Sequence, residues 1–198
     1  MADRSDPLRH RRSQASAWRR AAVSAAAAFS LALTASGCGG PQVNYAVPTD
    51  VCGLSVDRGL VQPFFPPGDR VEFDGDAFDG KRAKSFCQYY VDGNTALAVD
   101  GRRSAQDETA TQLAKRYADP AHLTSWTQSG GRIAGYAGTV YGTAPCSGNP
   151  SDSEEQPARS YTLKISVNHY TNAKSVRTEL AKLMSALLPE AARARGCR

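Results

Sequence analysis

The sequence predicts an α+β domain in which helices cover an antiparallel sheet of about five to six strands. Three observations lead to this prediction. Strand-like and helix-like segments occur in separate groups, whereas a parallel sheet requires regular alternation between them. A long amphipathic pattern near the end of the chain predicts a long C-terminal helix. Four cysteines within the domain predict two disulfides.

The first half of the domain is predicted to contain one short helix and three strands. The helix covers Ser55 to Gln62 and ends before Pro63, which cannot continue it. Asp92-Gly93-Asn94 is typical of a hairpin turn, because glycine and asparagine tolerate the positive φ that the turn needs. The strands are predicted over 70–73, 85–91 and 95–99.

A second helix is predicted next, with Ser104 as its N-cap and Asp119-Pro120 at its end. Asp107 and Glu108 would occupy its first turn, where carboxylates complement the helix dipole. Its apolar residues follow the i, i+3, i+4, i+7 spacing and predict one buried face: Ala110, Leu113, Ala114 and Tyr117.

The second half of the domain is predicted to be extended up to its last helix. Segments 123–128, 132–136 and 137–143 have the composition of strands. The clearest strand alternates polar residues with a buried set, Tyr161, Leu163, Ile165 and Val167. Residues 147–158 show no structural periodicity and predict a polar loop.

The last helix is predicted to begin after Asn172, which can cap it. Pro189 is predicted to interrupt or restart this helix before Cys197, because proline removes a main-chain hydrogen bond. The buried stripe of the helix is predicted to contain Val176, Leu180, Leu183, Met184, Leu187 and Leu188.

The N-terminus has the order of a secretory signal peptide. An apolar stretch from Ala21 to Leu33 is followed by the small residues 34–37, and it is too short to span a bilayer comfortably. Trp18-Arg19-Arg20 also permits twin-arginine export. The basic region before the stretch contains six arginines: Arg4, Arg9, Arg11, Arg12, Arg19 and Arg20.

Ala35-Ser36-Gly37-Cys38 resembles the lipobox of bacterial lipoproteins. The resemblance implies that the thiol of Cys38 takes a diacylglycerol and that cleavage leaves Cys38 as an acylated N-terminus. Two chains on one residue would anchor the protein stably to the outer face of the cell membrane. The alternative is ordinary secretion after cleavage nearby.

With lipidation at Cys38, the chain is predicted to consist of a signal peptide (1–37), a lipidated N-terminus and tether (38–49) and one α+β domain (50–198). Of the 24 Lys and Arg and 19 Asp and Glu, residues 1–37 contain six and two, which leaves 18 basic against 17 acidic residues. A nearly neutral exported chain has no overall attraction to phosphate, so we expect no nucleic-acid partner.

The odd number of cysteines, five, agrees with lipidation of one of them. With Cys38 assigned to the lipid, four cysteines remain in an exported chain, and an even number indicates two disulfides. Four cysteines allow three connectivities. We predict Cys52 with Cys87 and Cys146 with Cys197, since the second pair would fix a terminus that would otherwise fray.

Short motifs around these cysteines resemble uncharacterised actinobacterial exported lipoproteins. They are Pro48-x-x-x-Cys52-Gly53-Leu54, Phe86-Cys87, Pro145-Cys146-Ser147-Gly148 and the terminal Cys197. More distantly, the order of elements is similar to extracellular sensor domains of mycobacterial serine/threonine kinases. The resemblance implies an architecture and an outside location, and it assigns no chemistry to individual residues.

Acidic residues concentrate before the second strand, at Asp69, Glu72, Asp74, Asp76 and Asp79. Carboxylates in a loop suit calcium, but Phe78 lies where an EF-hand needs an oxygen ligand. We therefore interpret the segment as a solvated acidic loop that is balanced by three cations: Lys81, Arg82 and Lys84.

Catalytic motifs are sparse. His122 and His169 lack metal-ligand spacing, and His169 would continue the inward phase of the strand before it. Ser125 and Ser147 lie outside any G-x-S-x-G motif, and the chain has no H-E-x-x-H, P-loop or G-x-G-x-x-G. No cofactor or metal site is predicted. The glycine-rich positions are interpreted as turns and close strand packing: Gly130, Gly131, Gly135, Gly138 and Gly142.

Two further groups are weaker candidates. The cations Arg193, Arg195 and Arg198 complement the C-terminal end of a helix, and this explanation is preferred to an anion site. Aromatic residues on strands usually pack in the core or on a sheet face, but three could line a binding surface: Trp126, Tyr136 and Tyr141.

These observations favour a non-enzymatic binding or sensing module in the cell envelope, with a small molecule or an envelope protein as its partner. A lipid anchor would keep the domain near such partners at high effective concentration. The alternative is an envelope hydrolase that uses His169 or His122 with a nearby carboxylate.

Overall fold

The computed structural model describes residues 40, 42–79, 84–118, 126–147, 157–169 and 172–197, all within one unit, Gly39–Arg198. The described strands and helices follow in chain order. They are β1 (Asp50–Val51), β2 (Leu54–Ser55), α1 (Arg58–Val61), β3 (Val71–Gly75), β4 (Lys84–Val91), β5 (Asn94–Ser104), α2 (Ala110–Tyr117), β6 (Trp126–Gln128), β7 (Ile133–Tyr136), β8 (Thr139–Pro145), β9 (Ser160–Val167) and α3 (Ala173–Ala194).

One antiparallel sheet organises the domain, with the strand order β3-β4-β5-β9-β8-β7-β6, and β1 and β2 form a separate hairpin. The α+β prediction is confirmed, but the main sheet has seven strands rather than five or six. Residues 126–145 supply three of them, because tight turns at 129–131 and 137–138 separate them. The last strand, β9, inserts between β5 and β8.

The β4–β5 hairpin has the predicted turn. Asp92 and Gly93 both have left-handed φ values, 49° and 79°. The Asp92 carboxylate also accepts hydrogen bonds from the backbone N–H groups of Asp69 (3.1 Å) and Arg70 (3.0 Å). The turn is therefore tied to the segment that enters β3.

Ser104 is not a helix cap, and the prediction there is wrong. β5 runs to Ser104 because it pairs with β9 along its length, so the predicted end at Val99 is also wrong. Thr109 caps α2 instead: its Oγ1 accepts from the N–H of Gln112 (3.2 Å), and Gln112 Oε1 accepts from the N–H of Thr109 (2.8 Å). This reciprocal pair is a capping box.

The long helix α3 begins as predicted, with Asn172 Oδ1 accepting from the N–H groups of Lys174 (2.9 Å) and Ser175 (3.2 Å). Pro189 does not interrupt it, contrary to the prediction, and the helix continues to Ala194. Pro189 is exposed, while Ala191 and Ala192 beyond it are buried. Packing on both sides of the proline outweighs the lost hydrogen bond.

The main core lies between α3 and one side of the sheet, which we call the covered face. Leu163 and Ile165 of β9 are fully buried there, against Leu180 and Leu183 of α3. The helix approaches β8 so closely that a Cβ on Gly142 would collide with Met184. Close packing of this kind makes the covered face sensitive to single methyl groups.

Residues 42–49, from the segment predicted as a tether, lie against the domain. The N–H of Asn44 donates to the carbonyl of Gly68 (2.8 Å), the N–H of Gly68 donates to that of Gln42 (3.0 Å), and Val47 is buried. Cys38 and the signal segment lie outside the described residues. Within the described part of the chain, no helix is both long and apolar enough to cross a membrane.

Each of the two disulfides joins cysteines that follow one another in the order of cysteines along the chain, and this is the predicted connectivity. Cys52 pairs with Cys87 (Cα–Cα 5.9 Å) and Cys146 with Cys197 (Cα–Cα 4.4 Å). The first links the β1–β2 hairpin to β4, and the second links the end of β8 to the residues after α3. Such bonds persist in oxidising compartments and indicate an extracytoplasmic environment.

Candidate functional site

The side of the sheet that faces away from α3 is called the open face. On it, α2 packs over β7 and β8 through a small cluster that includes Leu113, Ala134 and Tyr141. No described element covers β4 and β5 on this side, where Lys84 and Phe86 are exposed. The open face is therefore apolar beneath α2 and polar beside it.

A groove runs along the edge of α2 on the open face. It has a volume of about 160 Å³. We call it the tyrosine groove, after the residues of its wall. Six described residues line it: Asp100, Arg102, Tyr117, Tyr141, Thr162 and Lys164.

Strand register places these side chains side by side. Lys164 of β9 lies opposite Asp100 of β5 on one side and Tyr141 of β8 on the other. Thr162 lies opposite Arg102. Directly opposed residues have Cβ atoms about 5 Å apart, so the groove floor is a continuous polar surface that spans three strands.

Three tyrosines form the wall. The rings of Tyr117 and Tyr141 are nearly parallel, with centroids 6.0 Å apart and an angle of 20°, and Tyr136 lies 6.3 Å from Tyr141. Tyr141 is only 4% exposed, whereas Tyr117 is 49% exposed. The inner ring is thus fixed by packing and the outer ring presents an aromatic surface to solvent.

Burial raises the pKa of Tyr141, and a hydrogen bond with Tyr136 raises it further, while the charge of Arg102 opposes the rise. The phenol of Tyr141 is protonated at neutral pH, as an ordinary tyrosine is, and its hydroxyl is hydrogen-bonded to Tyr136.

The floor carries an excess of positive charge. Asp100 lies 3.7 Å from Lys84 Nζ, in a pair at the rim of the groove. Neither Arg102 nor Lys164 forms an ion pair with another described residue. Two cationic side chains are therefore available to a ligand.

The aromatic candidates from the sequence divide between two places. Tyr141 lines the tyrosine groove and Tyr136 supports it, but Trp126 packs against the main core. Sequence reasoning missed Arg102 and Tyr117. The alternating polar residues of the 160–167 strand can be recognised in the sequence, and they include Thr162 and Lys164.

The histidine prediction is wrong for His169. β9 ends at Val167, so His169 does not continue its inward phase and is exposed. It is not among the residues that line the groove. His122 and Ser125 lie outside the described residues, and Ser147 is exposed beside Cys146.

The acidic segment behaves as a solvated surface where it is described. Glu72 pairs with Arg70 (2.7 Å), and Asp69 accepts a hydrogen bond from Asn44 (2.7 Å). Phe78 is buried. Among the described residues, no three His, Cys, Asp or Glu side chains gather closely enough to hold a metal ion. Lys81 and Arg82 lie outside the described residues.

The C-terminal arginines differ from one another. Arg193 is exposed and pairs with Glu190 (2.9 Å). Arg195 is only 4% exposed; its guanidinium lies 5.7 Å from the centre of the Phe78 ring and interacts with the hydroxyl of Tyr161. Arg195 is thus a buried cation rather than a surface complement to the helix dipole. Arg198 lies outside the described residues.

A second concavity of about 320 Å³ lies beside the C-terminal half of α3. Its lining is more apolar than that of the tyrosine groove, and Arg132 is its one charged lining residue among those described. The lining consists of Ser129, Arg132, Ile133, Thr143, Ala144, Ser185, Leu188 and Pro189.

Comparisons with known protein families, with curated proteins and with solved structures find no significant match to this chain. Function therefore has to be argued from the groove itself.

Proposed function

We propose that this protein is a lipid-anchored binding or sensing module on the extracytoplasmic face of the cell membrane and that the tyrosine groove is its ligand site. One observation carries the proposal. An exposed aromatic ring, Tyr117, stands in one concave surface beside Arg102 and Lys164, two cations that form no ion pair with another described residue. Binding sites typically combine apolar walls with a few well-placed polar groups.

Packing supports the groove as a built feature. Tyr141 is held by α2, β7 and β8 together, and the floor residues lie in the middle of a seven-stranded sheet. Sites on rigid elements hold their geometry better than sites on loops. A ligand would therefore meet a preformed surface.

The chemistry of the lining supports binding more than hydrolysis. Hydrolysis by the route considered from the sequence needs a histidine base close to a carboxylate. Asp100 is the carboxylate of the groove, and His169 lies outside the groove lining. The groove offers hydrogen bonds, charge and an aromatic surface, which are sufficient for recognition.

The anchor part of the proposal rests on the lipobox resemblance at Cys38 and on cysteine parity. A Cys38→Ala variant should leave the membrane fraction or remain unprocessed, which cell fractionation and immunoblotting would show. If the variant stays in the membrane at the size of the processed protein, the anchor proposal is wrong.

The binding part is tested on protein taken from its own membranes, cross-linked before extraction and analysed by native mass spectrometry. We expect a retained molecule on the unaltered protein and its loss in Tyr117→Ala. Phe73→Ala is the matched control, because Phe73 is equally exposed (51%) but lies on β3, outside the groove. Retention that is absent throughout, or equal in both variants, would rule out the groove as the ligand site.

A further inference from the structure

We infer that the tyrosine groove selects an anionic ligand that carries a flat ring, as an aryl phosphate or an aromatic carboxylate does. This inference rests on the proposed function and adds the chemical class of the ligand. Three features of the groove favour such a ligand: the cations of the floor, the hydroxyls beside them and the aromatic wall.

The floor favours an anion. Arg102 lies opposite Thr162, two residues from Lys164 along β9, so the two cations are diagonal neighbours on adjacent strands. Diagonal neighbours lie about 7 to 8 Å apart, a span that one phosphate or carboxylate can bridge with long side chains. An arginine and a lysine without an ion-pair partner among the described residues can both turn toward such a group.

Asp100 does not cancel this charge. Its carboxylate is shared with Lys84 at 3.7 Å, so the rim adds a third cation next to the one acidic group of the described lining. A cationic ligand would meet Arg102 and Lys164 without compensation, which selects against it. The site therefore discriminates by the sign of the charge as well as by shape.

Two hydroxyl groups complement the cations. The hydroxyl of Tyr141 can exchange its hydrogen bond with Tyr136 for one to an anionic oxygen. Thr162 is nearly fully buried in the floor and adds a second hydroxyl. Hydrogen bonds to a charged acceptor are stronger than those between neutral groups.

The wall favours a flat ring. Tyr117 is supported from behind by Tyr141 at a ring angle of 20°, which leaves its outer surface free for a third ring. Stacked aromatic rings gain free energy beyond their burial alone. An anion without a ring would use the floor and leave the wall empty.

The test uses the full-length processed protein in detergent, labelled with nitrogen-15, and three probes: phenyl phosphate, inorganic phosphate and benzyl alcohol. Amide chemical shifts should move at residues 100–102, 141 and 162–164. We expect the Kd for phenyl phosphate to be about tenfold or more below the Kd for either other probe, because only phenyl phosphate uses both floor and wall.

Substitutions separate the two contributions. Arg102→Gln should weaken phenyl phosphate binding about tenfold. Arg70 is an exposed arginine outside the groove, so Arg70→Gln is the control and should leave binding unchanged. Tyr117→Ala should reduce phenyl phosphate to the affinity of inorganic phosphate, and Tyr117→Phe should retain the affinity. Unchanged thermal unfolding would show that each variant is folded.

Several results would overturn the inference: no binding of phenyl phosphate, equal binding of benzyl alcohol, or no effect of Arg102→Gln. Failure of the proposed function looks different. If native mass spectrometry finds a neutral or cationic molecule that is lost in Tyr117→Ala, the groove is a ligand site and the anion inference is wrong. If no molecule is retained and no probe binds, both are wrong.

Discussion

On the covered face of the sheet, Leu163 and Ile165 of β9 are fully buried against α3. On the open face of the same strand, Thr162 and Lys164 line a groove, and Lys164 stays partly exposed. Two sets of side chains that alternate along eight residues therefore have different neighbours and different roles.

The two faces of the sheet contribute unequally to the stability of the fold. Apolar burial on the covered face provides most of the free energy of folding, since the open face buries only a small cluster beneath α2. Side chains on the open face are less constrained by packing. The two faces should therefore respond differently to substitution.

Leu183→Ala should have the largest effect on stability. Leu183 is fully buried between α3 and the sheet, and removing its side chain should lower the free energy of unfolding by about 3 kcal/mol. Phe86→Ala on the open face should cost less than about 1 kcal/mol, because Phe86 is 39% exposed. Urea denaturation compares the two, and equal losses would contradict the division between faces.

Gly142→Ala should cost about 1 to 3 kcal/mol, because the added methyl would collide with Met184 on α3. The same measurement of unfolding free energy applies. A stability gain would show that α3 can move away from β8 without loss, contrary to the close packing of the covered face.

Arg195→Met should leave the free energy of unfolding unchanged or raise it by about 1 kcal/mol. The buried guanidinium loses its hydration and gains the Phe78 ring and the Tyr161 hydroxyl in return, and replacing such a buried charge by an apolar side chain of similar length is often neutral or stabilising. Arg195→Ala, which removes the packing as well, should be destabilising. A loss of more than about 2 kcal/mol in Arg195→Met would show that the charge itself stabilises the fold.

The smallest effect should appear in the alkaline range. Burial raises the pKa of Tyr161 on the covered face, while the charge of Arg195 opposes the rise. Above the ordinary tyrosine pKa of about 10 the unfolded chain loses this proton first, so stability should fall as pH rises. Tyr161→Phe should reduce that slope between about pH 9 and 11. Identical slopes would contradict the burial argument.

The covered face could be predicted from the sequence because its signals are local. The alternation through Leu163 and Ile165, and the stripe of α3, depend on residues within a few positions of one another. Thr109 was missed as a cap because Ser104 is also a plausible one, and only the pairing of β5 with β9 excludes it. Pro189 was misjudged because tertiary packing decided the outcome.

The groove could not be predicted because it depends on distant pairings. Arg102 and Lys164 become neighbours only when β9 inserts between β5 and β8, and nothing local in the sequence specifies that strand order. Tyr117 reaches Tyr141 through the packing of α2 on β8. The burial of Arg195 also follows from three-dimensional packing, because arginine side chains are ordinarily exposed and nothing local in the sequence marks this one as different.

The contacts of residues 42–44 with Gly68 have a consequence for reach. Under the proposed anchoring at Cys38, only the four residues up to Gln42 would separate the lipid from the folded domain, an extended length of about 14 Å. The hairpin turn at Asp92 lies at this end, and Arg102 lies eight residues after Asn94, the first residue of β5, about 26 Å along the strand. A connecting segment of this length would keep the domain close to the bilayer surface. Its binding partners would then be molecules that come within that distance of the membrane.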